Sequence, residues 1–212
     1  MKLEKIEPLD SPNYLRLVFE GGKRLKAPAF KVVELGLTIG AEVTPEAFLA
    51  LENAQSLASC KERAVRILTA SGLSKKELQK RLVQKGESEE DAQAAVSWLE
   101  ELHLIDDLET AKQLVRSANL RGYGRARAKS ILYEKGIQKE LWDEALEEFG
   151  ETDGAIDAFL RKKLSGRTLD QKTIKKAVDA LIRRGHSYHD IQEGLRRFEA
   201  DCEPIDTWED ME

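Results

Sequence analysis

The sequence predicts a mainly α protein: three tandem three-helix repeats in an elongated arrangement, preceded by a small N-terminal β-hairpin element. Three observations lead there. A Leu-x-x-basic-Gly ending occurs as Leu82 to Gly86, Leu132 to Gly136 and Leu181 to Gly185, with the glycines 50 and 49 residues apart. Apolar residues return at helical intervals after each of those glycines. Aromatics make up only 6% of the 212 residues, which favours helices packed through Leu, Ile and Ala over a β-sandwich.

The first 55 residues read differently from the rest. Leu15, Leu17 and Phe19 alternate with Arg16, Val18 and Glu20, a strand pattern. Gly21-Gly22 and then Lys23 to Lys26 make it a hairpin, and Lys2 to Glu7 supplies a third short strand. Pro28 opens a short helix through about Leu35, which Gly36 stops, and Thr44-Pro45-Glu46 starts another.

Each repeat then reads as three helices. The first helices cover Cys60–Ala70, Leu108–Asn119 and Asp153–Leu164. The second helices run into the marker glycines, where a residue without a Cβ accepts a left-handed conformation, and the Lys or Arg just before suits the negative helix end. The third helices carry Ala92, Val96 and Leu99, then Trp142, Leu146 and Phe149, then Ile191, Leu195 and Phe198, each set on one face. Ser74 with Glu77, Ser88 with Asp91 and Ser187 with Asp190 have capping-box spacing; the middle copy has Gln138 at that position, so its third helix starts with less definition. The expected parts are an extension over 1–55, copies over 59–106, 107–150 and 152–200, and an acidic tail over 201–212. A copy of this size buries little apolar surface alone, so neighbouring copies should stack.

Net charge is −5, unsuited to a wholesale nucleic-acid binder, but the distribution is uneven. Glu87 to Glu109 holds nine acids and no Lys or Arg; Arg161 to Arg197 holds eleven bases against four acids; Glu199 to the end holds seven acids and no base. No apolar run approaches the ~20 residues of a membrane span, and the opening Met1 to Lys5 lacks a signal-peptide core. Cys60 and Cys202 form no CxxC pair, so free thiols in a reducing cytoplasm are expected.

Catalytic patterns are poor, and neither a catalytic residue nor a cofactor is expected. His186 and His189, with Asp190, Glu193 and Cys202 nearby, could ligate a metal, but they flank a capping serine. Asp106-Asp107 could hold Mg²⁺; capping the helix that follows is the better reading. The basic residues say more. Arg125, Lys129 and Tyr133 fall on one helix line, flanking the apolar Ala128, Ile131 and Leu132. Lys172, Lys176 and Arg183 lie opposite Ile174, Ala177, Val178 and Leu181, and Arg161, Lys162 and Lys163 add charge to the same copy. Arg125, Lys129, Lys172, Lys176, Arg183 and Arg184 are the candidate contacts for DNA phosphate or an acidic protein surface.

Over Ser59 to Ala200 the chain carries an ordered series: Ser74 to Leu78 leading to Lys85-Gly86, then Leu104-Ile105-Asp106-Asp107, Gly122-Tyr123-Gly124 and Leu132-x-x-Lys135-Gly136-Ile137. In order and spacing that series resembles the RecX family of RecA regulators. Ser71, Thr110 and Ala128 depart from the family's usual residues. The resemblance implies a cytoplasmic, monomeric, non-enzymatic protein that binds the RecA–DNA filament and limits RecA's ATPase, strand exchange and coprotease activity. Its alternative is a stand-alone DNA-binding module using the same basic faces.

Overall fold

The computed structural model describes residues 1–70, 72–165 and 170–201. It forms two compact units, one up to Ile105 and one from Asp106 onward. Ser71 and the expected acidic tail beyond Asp201, with Cys202, lie outside the described residues.

The first unit opens with an antiparallel sheet, β1 (Leu3–Pro8), β2 (Tyr14–Phe19) and β3 (Arg24–Pro28), in the order β1-β2-β3. In β2, Tyr14, Leu17 and Phe19 are buried, and Arg16 stands in solvent opposite Glu7. The helix α1 (Ala29–Glu34) follows Pro28 and ends with Gly36 at φ +60°. Then comes α2, which corrects the expected start of the first repeat helix: it is one helix, Pro45–Ala70, that joins the helix expected to start at Thr44-Pro45-Glu46 to the one expected over Cys60–Ala70. No Gly or Pro interrupts the chain between Glu46 and Ala70, so nothing stops it. Its first half buries Phe48 and Leu51 with Leu3, Leu17 and Phe19 of the sheet. Its second half buries Cys60 and Ala64 in a separate core with α3 (Lys75–Gln84) and α4 (Glu89–Glu101).

In the second unit, α5 (Asp107–Leu120) and α6 (Arg125–Glu134) form the middle copy, and α8 (Asp153–Leu164), α9 (Gln171–Arg183) and α10 (Tyr188–Asp201) form the third. Each copy has its own core, around Val115, Leu132 and Leu146 in one and around Ile156, Leu160, Leu181 and Ile191 in the other. The middle copy's third helix is broken, against expectation. It is a 3₁₀ turn at Lys139–Leu141, a single α turn at Trp142–Ala145 (α7) and a 3₁₀ turn at Leu146–Glu148. Gln138 provides no side-chain cap, and the Trp142 indole N–H donates to Ile137 O at 3.1 Å, which holds the tight entry turn.

The helix ends follow the sequence signals. Gly86, Gly136 and Gly185 have φ of +93°, +70° and +87°. At each, the glycine N–H bonds the carbonyl three residues back and the next N–H bonds the one five back, as in Gly86 to Val83 O and Glu87 to Leu82 O. Ser74 forms the full reciprocal box with Glu77, while Ser88 and Ser187 accept from Asp91 N and Asp190 N at 3.0 and 3.1 Å. The Asp91 carboxylate turns instead to the Ser56 hydroxyl on α2, at 2.5 Å. The end of α4 has the same turn with His103 at φ +54° in the glycine position. His103→Gly is expected to raise the unfolding free energy of this unit by about 0.5–1 kcal/mol, by removing left-handed strain from a residue with a Cβ. A urea titration of the variant beside the parent checks it.

Candidate functional site: the junction of the second and third copies

Gly122-Tyr123-Gly124 has no role readable from the sequence alone; the structure shows one. It brings the start of α6 against the end of α9. Gly124 N–H donates to Arg184 O at 2.9 Å, and Ala126 N–H donates to Gly185 O at 3.1 Å. The positive end of one helix therefore meets the negative end of another, each satisfying backbone groups the other leaves open. The approach is close enough to require glycine on both sides. A Cβ on Gly124 would lie 2.1 Å from Gly185 O, and one on Gly185 would lie 2.2 Å from Arg127 N. The third-copy glycine is thus both a helix terminator and a docking surface. Gly86 has open space at the same position.

Two side chains complete the junction. His186 is buried and its Nε2 lies 3.1 Å from Gly122 O, so that nitrogen is the donor. Its Nδ1 has no hydrogen-bond partner among the described residues. Burial pushes the imidazole below its ordinary 6.5; the bond to Gly122 opposes this, Arg184 adds to it and Asp190 opposes it. The sign follows from linkage. The unfolded chain takes up a proton near pH 6.5 and the folded chain resists it, so stability is lost as pH falls below that value. Unfolding of the second unit should become easier as pH falls below 6.5, and His186→Gln, which keeps a donor, should flatten that slope. Chemical denaturation at stepped pH measures both.

Arg184 stands over two rings, 5.6 Å from the Tyr123 centroid and 5.4 Å from that of Phe159. Of the six candidate contacts, it is therefore the one that braces the junction. Arg125 begins α6 beside the same splice and donates Nη1 to Leu146 O at 3.4 Å. Lys129 is exposed, and Tyr133, in line with it, is 72% exposed. On α9, Lys172, Lys176 and Arg183 are all exposed. Lys176 and Arg183, which regular α9 places opposite its apolar face, also line a groove of about 380 Å³ between α8 and α9, as does Lys163. The splice brings the end of the α9 stripe next to the start of the α6 stripe, a proximity the two stripes do not announce in sequence.

The other candidate chemistry resolves into structure. Asp106 caps α5, accepting from Leu108 N at 2.8 Å and Glu109 N at 3.3 Å, and Asp107 is buried at the first helical position. Ser187 caps α10 between His186 and His189. Among the described residues no three His, Cys, Asp or Glu side chains converge as metal ligands would, and no helix is long and apolar enough to cross a membrane.

Comparison with known proteins agrees with the repeat. Residues 60–99 match the family profile described as RecX, first three-helix domain, and residues 106–146 match that of RecX, second three-helix domain. The protein from Vibrio parahaemolyticus named Regulatory protein RecX is 32% identical over 139 residues, covering 65% of this chain and 90% of its own length. That from Clostridium beijerinckii, with the same name, is 28% identical over 193 residues, covering 88% and 90%. A crystal structure of regulatory protein RecX superposes with a TM-score of 0.77 at 20% identity, over 91% of this chain and 98% of the other.

Proposed function

The chain belongs to the RecX family, and from that premise we propose that it is a non-enzymatic regulator that binds the RecA–DNA filament and inhibits or modulates RecA. The regulated activities are recombination, ATP hydrolysis and coprotease function in DNA repair and the SOS response. The protein acts as a cytoplasmic monomer and needs no cofactor. The observation that supports the reading is the spliced junction of the second and third copies. The two copies it joins carry Lys129, Lys172, Lys176 and Arg183 as exposed cations, and none of these four forms an ion pair among the described residues. Copies held in register let several modest contacts act together through effective concentration.

The test is RecA's DNA-dependent ATPase, with and without this protein, together with co-sedimentation on RecA filaments. Slower hydrolysis and co-sedimentation are expected. If the host's own RecA neither binds the protein nor slows in its presence, the reading fails. A stand-alone DNA-binding module is the second reading, favoured by the exposed Tyr133 in line with Arg125 and Lys129. It predicts bare-DNA binding with a steep salt slope in the absence of RecA.

A further inference from the structure

The groove between α8 and α9 has an apolar floor that includes Phe159, Leu164 and Ala177, and Lys163, Lys176 and Arg183 stand along it. None of these three cations pairs with a carboxylate of the described residues, and although Asp179 also reaches the wall the groove remains net basic. One segment of the chain has the complementary chemistry. Residues 203–212 hold five acids and no base, with Ile205, Trp208 and Met211 interleaved at intervals of three.

The place where that segment begins puts the groove within reach. The helix α10 runs antiparallel to α8. A Cβ on Gly194 would touch Ile156 and Leu160, while Arg197, one turn later, pairs with Asp157 at 3.0 Å and Asp153 at 3.5 Å. Asp201 therefore stands at the Asp153 end of α8. The groove begins at Phe159, roughly 9 Å further along the helix. The eleven residues after Asp201 span up to about 36 Å when extended, enough to round the bundle and lie along the groove.

We propose that the acidic C-terminal segment 203–212 docks in the α8–α9 groove of its own chain and competes there with the partner that the basic face binds. Aliphatic and indole side chains go to the floor and carboxylates to Lys163, Lys176 and Arg183. The tether supplies a high local concentration, so weak contacts suffice for occupancy and a multivalent partner can still displace the segment. The competition rests on the filament reading given above; the docking does not.

The test is zero-length carbodiimide coupling on the full chain, followed by digestion and mass spectrometry. Links from Lys163 or Lys176 to the carboxylates of 203–212 are expected within the monomeric species. The Lys112–Glu144 pair, at 2.8 Å, is the internal standard. Recovery of that standard without links from the tail to the groove overturns the docking, and so does finding the links only in a species of twice the mass. A full chain with Glu203, Asp206, Glu209, Asp210 and Glu212 changed to their amides should lose the links and bind RecA filaments at least threefold more tightly. Loss of the links with unchanged filament affinity overturns the competition. The coupling needs no RecA, so failure of the filament reading leaves the docking result standing on its own.

Discussion

Gly185→Ala is expected to destabilise the second unit by about 4 kcal/mol, while Gly86→Ala costs the first unit only about 1 kcal/mol, although the two glycines end equivalent helices at nearly equal φ. At Gly86 alanine adds left-handed strain and meets nothing. At Gly185 it adds the same strain and drives a methyl group into the backbone of Arg127, 2.2 Å from the nitrogen. Gly124→Ala separates the two costs, since Gly124 sits at φ −81° and needs no special conformation. Its methyl would strike Gly185 O at 2.1 Å, so the clash alone should cost about 3 kcal/mol. The pair should also be non-additive. Once either methyl has pushed α6 off α9, the second clash is already relieved, and the double variant should be little worse than Gly185→Ala alone. Unfolding of the four variants, followed by amide exchange at Gly124 and Ala126, measures this. Equal costs at Gly86 and Gly185 would show that the junction contributes nothing.

Reversing the charge of the α9 stripe, Lys172→Glu with Lys176→Glu and Arg183→Glu, is expected to weaken binding to RecA filaments by about 30- to 100-fold. Exposed ion pairs contribute up to about 1 kcal/mol each, and reversal adds repulsion to the lost attraction. The three side chains are exposed, so the fold should survive, and an unchanged melting temperature is the control. Reversal of Lys76 and Lys80 on the exposed face of α3 should change affinity little. Added salt should weaken the parent more than the variant, because fewer charged contacts remain to be screened. Binding that is indifferent to the α9 reversal would remove this stripe from the interface.

Local rules wrote much of this architecture openly into the sequence. A glycine after a basic residue, an apolar residue at every third or fourth place and a serine before an acid are signals carried by neighbours, and the structure places Gly86, Ser74 and Asp106 where those signals require. The break at Trp142 was half legible, because the missing cap at Gln138 is visible but the indole bond that stabilises the tight turn is not. The continuity of α2 is legible only in what is absent, since the change of composition near residue 55 suggests a boundary but no Gly or Pro stands there to break the helix. The splice was out of reach for a different reason. Its requirement for glycine at Gly124 and Gly185 is a steric relation between distant segments, and at Gly185 it is masked by the helix-ending role that explains a glycine there anyway. Arg184 likewise reads as one more surface cation until its guanidinium is found over the rings of both Tyr123 and Phe159.

The merged helix α2 has a thermodynamic consequence. Its 26 residues extend about 39 Å and belong to two cores at once, the sheet's through Phe48 and Leu51 and the first copy's through Cys60 and Ala64. Neither core can melt without shortening the helix on which the other is built, so the free energies of the two are linked. A molecule that engages the strands therefore stabilises the first copy by mass action without touching it, and the N-terminal sheet is a handle on the repeat rather than an ornament upon it.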